Sequence, residues 1–276
     1  MKWIIRFYRI YFRILFTIAP RIAAKKAITV FSTPLNHKLR DREIDLLNKA
    51  EQEMLFIEGY NIAVYKWGNG NKKALLVHGW EGNGGSLGAV GNLLVSKGYT
   101  VYSFDGPAHG KSSGKQTNVI AFSGIVSGLI KKYGTYNVIA THSFGSATTN
   151  YALANNTDII IDKIIMLTSP NKLSNVIKEF GKVLAFRNSD IEHMHQAIQR
   201  IYNTSVDSLS VEDLTLKTSV KEYYIIHDKN DRIIPYSYSE AIAAKNDAVK
   251  LIPLEGTGHY RMLWEEKTLA VIDKIV

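Results

Sequence analysis

Short runs of consecutive apolar residues recur along the chain, separated by segments with helical periodicity. The runs lie at residues 74–77, 100–104, 138–140, 164–167 and 223–226, with a weaker one at 249–252. The helices between them are predicted at 86–97, 119–133, 146–155, 236–245 and 262–275. Strands that alternate with helices form a mostly parallel sheet, and continuous apolar strands are covered on both faces. The sequence therefore predicts an α/β fold, a mostly parallel β-sheet with helices on both faces.

Two further segments fit around this pattern. Residues 40–54 have the spacing of an amphipathic helix, and residues 55–67 alternate around Gly59 as an antiparallel hairpin at a sheet edge. Between residues 170 and 217 there are two helical segments, 174–186 and 190–202, and no strand. A simple crossover needs only about a dozen residues. We therefore expect a small helical cap insertion at about 170–217, over the carboxyl ends of the strands, where open α/β sheets bind ligands.

The net positive charge of the chain comes from its N-terminal segment. Residues 1–40 carry nine basic residues and no acidic one, so the remainder is formally neutral and the net charge of +9 is no reason to expect nucleic-acid binding. Four of the basic residues share one narrow stripe of a helix over residues 1–20: Lys2, Arg6, Arg9 and Arg13. The arginines argue against a transmembrane helix and a signal peptide. Two alternatives stay open for this basic amphipathic helix: peripheral contact with an anionic membrane surface, or packing on the rest of the protein or on a second copy.

Composition and histidine spacing exclude several kinds of site. With 276 residues and 46% apolar content, the chain can build one large core. It has no cysteine, so disulfides and thiolate metal sites are excluded. His193 and His195 are two residues apart, and on a helix their rings point in different directions. We expect no metal and no cofactor.

The apolar run at 138–140 ends at Thr141-His142-Ser143-Phe144-Gly145. A serine with small neighbours between a strand and a helix is typical of a nucleophile elbow, the sharp turn that lifts a serine hydroxyl out of the sheet. Thr141 stands where the first glycine of the usual motif belongs, and its β-branched side chain crowds the turn. A serine at such a junction is also commonly an N-cap, so this motif alone leaves both interpretations open.

The other strand ends carry distinctive loops as well. The glycine-rich loop at 78–85 exposes backbone N–H groups, and in an acyl-transfer enzyme the amides of Trp80 and Phe144 would bind the developing oxyanion. A phosphate cradle is the alternative, but the Lys-Ser/Thr pair of a P-loop is missing. The loop at 227–235 offers Asp228 and Asp231, and a glycine turn carries His259. Asp231 is preferred because it lies further out on its loop, before the Ile-Ile-Pro turn.

Serine, aspartate and histidine thus follow three strands in the chain order of the α/β-hydrolase fold. The sequence resembles that superfamily, in particular its serine esterases and lipases, at five motifs within about residues 62–276. They are His78-Gly79, Asp105-x-Pro-x-His-Gly-x-Ser, the elbow, Asp231-x-x-x-Pro and Gly258-His259. The resemblance implies Ser143 as nucleophile, Asp231 as acid and His259 as base, with an oxyanion hole from the Trp80 and Phe144 amides. We therefore expect a hydrolase domain at 55–276, after a basic amphipathic helical segment at 1–54 that the resemblance does not cover.

The expected function is that of a serine hydrolase acting on a small-molecule ester or acyl substrate in the cytoplasm. The ester could be that of a lipid or another acyl group. An acyl thioesterase or acyltransferase remains an alternative, because the fold and the residue set are shared among these activities. A non-catalytic binding protein of the same fold is the alternative from another class. We expect His142 to be a packing residue, His78 and His109 to form loop hydrogen bonds, and Asp105 to be structural.

Overall fold

The computed structural model describes residues 2–35 and 38–276, with Lys2 described by its backbone only. Contacts within it divide the chain into two compact units. One unit comprises Met1–Thr33 and Lys172–Ser210, and the other comprises Pro34–Asn171 and Val211–Val276. This division follows contacts rather than chain order, so the domain limits inferred from the sequence, 1–54 and 55–276, stay a prediction.

The larger unit is built on one sheet. Its strands are β1 (Glu51–Ile57), β2 (Tyr60–Trp67), β3 (Lys72–Val77), β4 (Tyr99–Phe104), β5 (Val138–His142), β6 (Ile160–Leu167), β7 (Ser219–Asp228) and β8 (Val249–Leu254). Among the described residues these eight strands pair in the order β1-β2-β4-β3-β5-β6-β7-β8. The β1–β2 and β2–β4 pairs are antiparallel, and all the others are parallel. The predicted mostly parallel sheet with an antiparallel hairpin at its edge is confirmed.

Helices cover both faces of this sheet. The helices of the chain are α1 (Lys2–Ile18), α2 (Pro20–Phe31), α3 (Asp41–Asn48), α4 (Gly88–Ser96), α5 (Val119–Tyr133), α6 (Phe144–Ala154), α7 (Leu173–Leu184), α8 (Asn188–Tyr202), α9 (Val211–Leu214), α10 (Tyr236–Lys245) and α11 (Glu266–Asp273). Successive residues of a strand point to opposite faces. In β3, Leu75 and Val77 pack in the cluster that includes α5, α6 and α10. Ala74 and Leu76 pack in the cluster that includes α4 and α11.

Two predicted helices were too long. The helix expected at 40–54 ends at Asn48, and β1 begins at Glu51. Charged residues occupy the start of this edge strand. In the sequence they resemble the solvent-exposed side of an amphipathic helix, which is why the helix was predicted too long. The Glu51 carboxylate lies 3.1 Å from the Lys66 ammonium of β2, and the Glu53 carboxylate lies 3.4 Å from the Lys132 ammonium of α5. The helix expected at 262–275 begins only at Glu266, after a 3-10 turn.

The smaller unit is helical and has a core of its own. It contains α1 and α2, which lie within residues 2–31, and α7 and α8, which lie within residues 173–202. Phe12 and Phe16 of α1 are buried in one cluster with Ile177 of α7 and Met194 of α8. The Arg9 Nε atom donates a hydrogen bond of 2.9 Å to the Val183 carbonyl. None of the described helices is both long enough and apolar enough to cross a membrane.

The sheet direction places several loops together. Because β3, β4, β5, β6, β7 and β8 run parallel, their carboxyl ends meet at the same edge of the sheet. Trp80, Ser143, Asp231 and His259 follow β3, β5, β7 and β8, while Phe144 begins α6 and Asp228 ends β7.

Candidate active site

Ser143 occupies a strained turn between β5 and α6. Its backbone has φ 50° and ψ −115°, a region that residues with a side chain rarely adopt. The Ser143 N–H donates to the Leu167 carbonyl at 3.2 Å, which ties the turn to β6. The Ser143 hydroxyl makes no capping hydrogen bond to α6, so its side chain does not act as an N-cap. This is the backbone geometry of a nucleophile elbow.

Glycines allow the close packing around this turn. A Cβ atom on Gly145 would lie 2.5 Å from the Val77 carbonyl oxygen, so only glycine lets α6 start this close to β3. A Cβ on Gly79 would lie 2.8 Å from His142 Nδ1 and 3.3 Å from Ser143 Cβ. The glycine-rich loop after β3 therefore lies directly against the Ser143 turn.

Thr141, which departs from the usual elbow sequence, is accommodated by a hydrogen bond. Its hydroxyl lies 2.8 Å from the Ser146 hydroxyl, which in turn donates to the Thr168 carbonyl at 3.0 Å. Both side chains are fully buried, so these bonds remove the cost of burying two hydroxyls. A threonine at this position is therefore compatible with the turn.

His259 and Asp231 form the closest ionisable pair of the site. The His259 Nδ1 atom lies 2.7 Å from Asp231 Oδ2, and both residues are buried. The other carboxylate oxygen, Asp231 Oδ1, accepts the backbone N–H groups of Ile233 and Ile234 at 2.7 and 3.0 Å. The bend before Pro235 thus orients the carboxylate towards the imidazole. With Nδ1 engaged in this way, Nε2 is the His259 nitrogen left for other partners.

His142 holds the His259 loop next to the elbow. Its Nε2 atom donates to the His259 carbonyl at 3.0 Å, and the two rings are 4.8 Å apart. Burial, together with the neighbouring His259, lowers the pKa of His142 to about 3, so its ring is neutral. Among the described residues, neither the Ser143 hydroxyl nor His259 Nε2 forms a hydrogen bond. The hydrogen bond between a nucleophile and its general base is often long in the absence of substrate and shortens when substrate binds.

The backbone amides of Trp80 and Phe144 are available as donors. Trp80 lies in a tight turn closed by the Gly82 N–H on the Gly79 carbonyl at 3.0 Å, and Phe144 is the first residue of α6. Their rings meet edge to face at 5.4 Å, so the two residues are neighbours. In the described part of the chain neither N–H donates a hydrogen bond. The positive end of the α6 dipole adds to the field at Phe144.

Comparison with known proteins identifies the family. Residues 74–273 match the Alpha/beta hydrolase family. The chain belongs to the alpha/beta hydrolase family. A search of curated proteins found no match.

Solved structures share the alpha/beta hydrolase fold with this chain at low sequence identity. Est1E from Butyrivibrio proteoclasticus, with bound ferulic acid, is 18% identical with a TM-score of 0.65, covering 81% of this chain and 95% of that one. Esterase Pf2001 from Pyrococcus furiosus is 18% identical with a TM-score of 0.63, covering 88% and 95%. The thioesterase domain of the curacin biosynthetic pathway is 15% identical with a TM-score of 0.61, covering 83% and 99%. These likenesses show the fold.

Asp228, the other candidate carboxylate beside Asp231, accepts hydrogen bonds mainly from backbone N–H groups and not from the imidazole. It accepts the N–H of Asn230 at 2.7 Å, the N–H of Gly258 at 2.7 Å and the Thr257 hydroxyl at 2.9 Å, and also the Thr257 N–H. Burial opposes its ionisation, but these hydrogen bonds outweigh burial and lower the pKa of Asp228. Asp228 therefore fixes the loop that carries His259, whereas Asp231 contacts the ring.

Asp231 has two further contacts that the sequence patterns did not predict. The Thr168 hydroxyl donates to Asp231 Oδ2 at 3.2 Å, and His227 Nε2 lies 3.5 Å from the same oxygen. Burial raises the pKa of Asp231, but the hydrogen bonds from His227 and His259 outweigh burial, and the pKa falls well below its usual range. Asp231 is therefore ionised at neutral pH. Thr168 directly follows β6, and this strand-end position was the one signal that pointed to it.

His78 and His109 form hydrogen bonds with loop backbone groups, as the sequence predicts. His78 donates from Nδ1 to the Gly79 carbonyl at 2.7 Å and accepts the Gly106 N–H on Nε2 at 2.9 Å. Burial lowers the pKa of His78 to about 4, so this neutral tautomer persists. His109 Nε2 accepts the Glu81 N–H at 3.0 Å. Both rings thus fix the glycine-rich loop that carries Trp80.

Asp105 is buried and joins this loop to its neighbours. It accepts the Tyr65 hydroxyl at 2.9 Å, the Gly84 N–H at 2.7 Å and the Lys111 N–H at 2.8 Å. Burial raises the pKa of Asp105, although these hydrogen bonds oppose the rise. Its contacts are those of the structural residue expected from the sequence.

The described residues do not form an evident set of metal ligands. Within residues 2–35 and 38–276, no group of three or more His, Cys, Asp or Glu residues could hold a metal ion. The polar groups that the site does offer are a hydroxyl, an imidazole with its carboxylate, and the backbone amides of Trp80 and Phe144, a set that is chemically suited to acyl transfer.

Proposed function

We propose that this hydrolase cleaves a carboxylic ester through an acyl-enzyme intermediate on Ser143. The observation that carries the proposal is the 2.7 Å contact between His259 Nδ1 and the ionised Asp231. A serine hydroxyl becomes a strong nucleophile only when an imidazole accepts its proton, and the imidazole needs a carboxylate to hold its tautomer and stabilise its cation. An aspartate on Nδ1 leaves Nε2 to take the Ser143 proton.

In the proposed reaction, Ser143 Oγ attacks the ester carbonyl carbon while its proton passes to His259 Nε2. The carbonyl oxygen becomes an oxyanion that accepts the N–H groups of Trp80 and Phe144, and each such donor is worth about 10²–10³ in rate. Collapse breaks the bond to the alcohol oxygen, which leaves with the proton from His259. Water then attacks the acyl-enzyme, with His259 again accepting a proton, and releases the acid.

The structural neighbours support an acyl substrate, since Est1E is bound to ferulic acid and Pf2001 is an esterase. The curacin neighbour is a thioesterase, which makes a thioester the second candidate substrate. Both substrates pass through the same acyl-enzyme and differ in the leaving group. The substrate we propose is a small-molecule ester, of a lipid or of another acyl group, in the cytoplasm.

Hydrolysis of p-nitrophenyl esters tests this proposal. Acyl chains from acetyl to palmitoyl, each also offered as a thioester, would rank the substrates. We expect Ser143→Ala to lower kcat/KM for the best substrate by at least about 10³-fold. Ser96→Ala, at an exposed serine of α4, is the matched control and should keep wild-type activity. Turnover by Ser143→Ala within tenfold of wild type would contradict the proposal. A folded wild-type protein that turned over no ester or thioester would also contradict it, and would favour a non-catalytic binding protein.

A further inference from the structure

Helix α1 presents two separate apolar faces, and only one of them is covered. Its buried face contributes Phe12 and Phe16 to the core of the smaller unit. The second set, which we call the outer face, consists of residues that are each 56–82% exposed: Trp3, Ile4, Phe7, Ile10, Ile14 and Ile18. We infer that the outer face of α1 docks on the surface of an anionic lipid bilayer, with the helix lying in the plane of the headgroups.

The spacing of the outer face makes it continuous. Steps of three and four residues from Trp3 through Phe7, Ile10 and Ile14 to Ile18 keep these side chains on one side of an α-helix. Single exposed apolar residues are ordinary, but a contiguous row along a whole helix marks an interaction surface. Since Phe12 and Phe16 already fill the core on another side, α1 cannot bury both faces in its own unit by rotating.

The charges beside this face identify its partner. Arg6 and Arg13 are exposed and lie along one border of the outer face, and Arg9 continues this basic stripe towards α7, where it donates to the Val183 carbonyl. Residues 1–40 contain no acidic side chain, so nothing in this segment neutralises them. Adjacent basic and apolar faces match the headgroup and acyl regions of an anionic bilayer, and Trp3 is a residue type favoured at that boundary. A second copy of α1 would add further arginines and no acid.

Vesicle co-sedimentation of the full chain tests the charge contribution. Wild type should bind vesicles of phosphatidylcholine with phosphatidylglycerol and leave pure phosphatidylcholine largely unbound. Arg6→Gln with Arg13→Gln should raise the lipid concentration for half-binding about 30-fold, because each basic residue near an anionic surface contributes about fivefold. Lys49→Gln with Lys115→Gln removes the same charge at exposed sites of the other unit and should bind like wild type.

A second pair of variants tests the apolar contribution. Ile10→Ser with Ile14→Ser removes two outer-face side chains that are 62% and 56% exposed, so the fold should persist, as thermal unfolding would verify. We expect at least about a tenfold loss of vesicle binding, from the apolar area no longer transferred out of water. Ile160→Ser with Leu216→Ser, at residues each 54% exposed, is the matched control.

Trp3 provides a direct probe of the bound state. Anionic vesicles should shift the tryptophan emission of the wild type to the blue and should fail to do so in Trp3→Phe. Equal sedimentation of all variants, or no binding to anionic vesicles, would overturn the inference. Dimerisation in the absence of lipid that Ile10→Ser with Ile14→Ser abolishes would also overturn it and assign the outer face to a second copy. None of these readouts requires turnover, so their failure is distinct from failure of the proposed hydrolysis.

Discussion

The imidazole of His259 contacts the carboxylate of Asp231 at 2.7 Å across 28 residues of sequence. The same carboxylate oxygen accepts the hydroxyl of Thr168, which follows a third strand of the sheet. One oxygen thus joins the loops after β6, β7 and β8. This convergence gives the carboxylate a fixed position and a defined partner, and the predictions below follow from it.

Exchanging the two carboxylates of the β7 loop for amides should separate their roles. Asp231→Asn should lower kcat by about 10⁴-fold, because a neutral amide no longer holds the imidazole tautomer or stabilises its cation. Asp228→Asn should keep activity within tenfold but lower the free energy of unfolding by about 1–3 kcal/mol, since it weakens a buried acceptor of several N–H groups. Ester kinetics and urea unfolding measure the two effects, and the opposite pattern would reverse the assignments.

Removing the Thr168 hydroxyl should reduce activity without unfolding the protein. Thr168→Val keeps the shape of the side chain but takes one hydrogen bond from Asp231, and we expect kcat to fall by about tenfold, the worth of one bond to a charged group. Thr149→Val is the matched control, because the Thr149 hydroxyl is buried and has no hydrogen-bond partner among the residues that the structure describes. That control should have wild-type kinetics and equal or higher stability. Equal kinetics for the two variants would show that Thr168 does not position Asp231.

The backbone strain at Ser143 should be measurable as stability. Ser143→Gly should raise the free energy of unfolding by about 1 kcal/mol relative to Ser143→Ala, because glycine adopts a positive φ without strain while alanine does not. Both variants lack the hydroxyl, so the comparison isolates the backbone. Thermal unfolding of the pair measures the difference. If Ser143→Ala proved as stable as Ser143→Gly, the turn would not be strained.

Buried neutral histidines should make the protein sensitive to mild acid. The pKa of His142 is about 3 in the folded chain, and that of the unfolded residue is about 6.5. Below pH 6.5 the unfolded chain therefore binds a proton that the folded chain excludes, and stability falls with pH by up to about 1.4 kcal/mol per pH unit. His142→Gln keeps a donor near Nε2 and removes this titration.

Urea unfolding between pH 6.5 and 4.5 measures the effect. The variant should show a slope shallower by about one proton than the wild type. Identical slopes would mean that His142 is already protonated in the folded protein. Asp231 affects the pH dependence of stability only at lower pH. A carboxylate with a lowered pKa loses its contribution to the free energy of unfolding only below the pKa of the unfolded chain, about 3.9.

The strand-end loops were predictable from sequence because a parallel sheet gathers the carboxyl ends of its strands. That rule alone brings the neighbourhoods of Ser143, Asp231 and His259 to one edge. The contacts of Thr168 and His227 with Asp231 were not predictable, since they depend on the orientation of side chains from neighbouring strands. Thr168 offered only its position after β6, and His227 lies within β7, where a buried histidine looks like any core residue.

Strand β1 and helix α1 show another limit of prediction from sequence patterns. The charged start of β1 resembles a helix in sequence because this exposed edge strand does not display alternation of apolar and polar residues. In α1, apolar residues cover most of the circumference, so the pattern could not distinguish the face that Phe12 buries from the one that Trp3 exposes. Packing with α7 and α8 decides this, and those helices are more than 150 residues away in sequence.

Covalent labelling with a fluorophosphonate tests the central claim most directly. Intact-mass analysis of the labelled protein should show one adduct per chain, and peptide mapping should place it on Ser143. We expect no adduct in Ser143→Ala and labelling at least about 10³-fold slower in His259→Ala, whose hydroxyl lacks a proton acceptor. An adduct on another residue, or labelling of His259→Ala at the wild-type rate, would contradict the account.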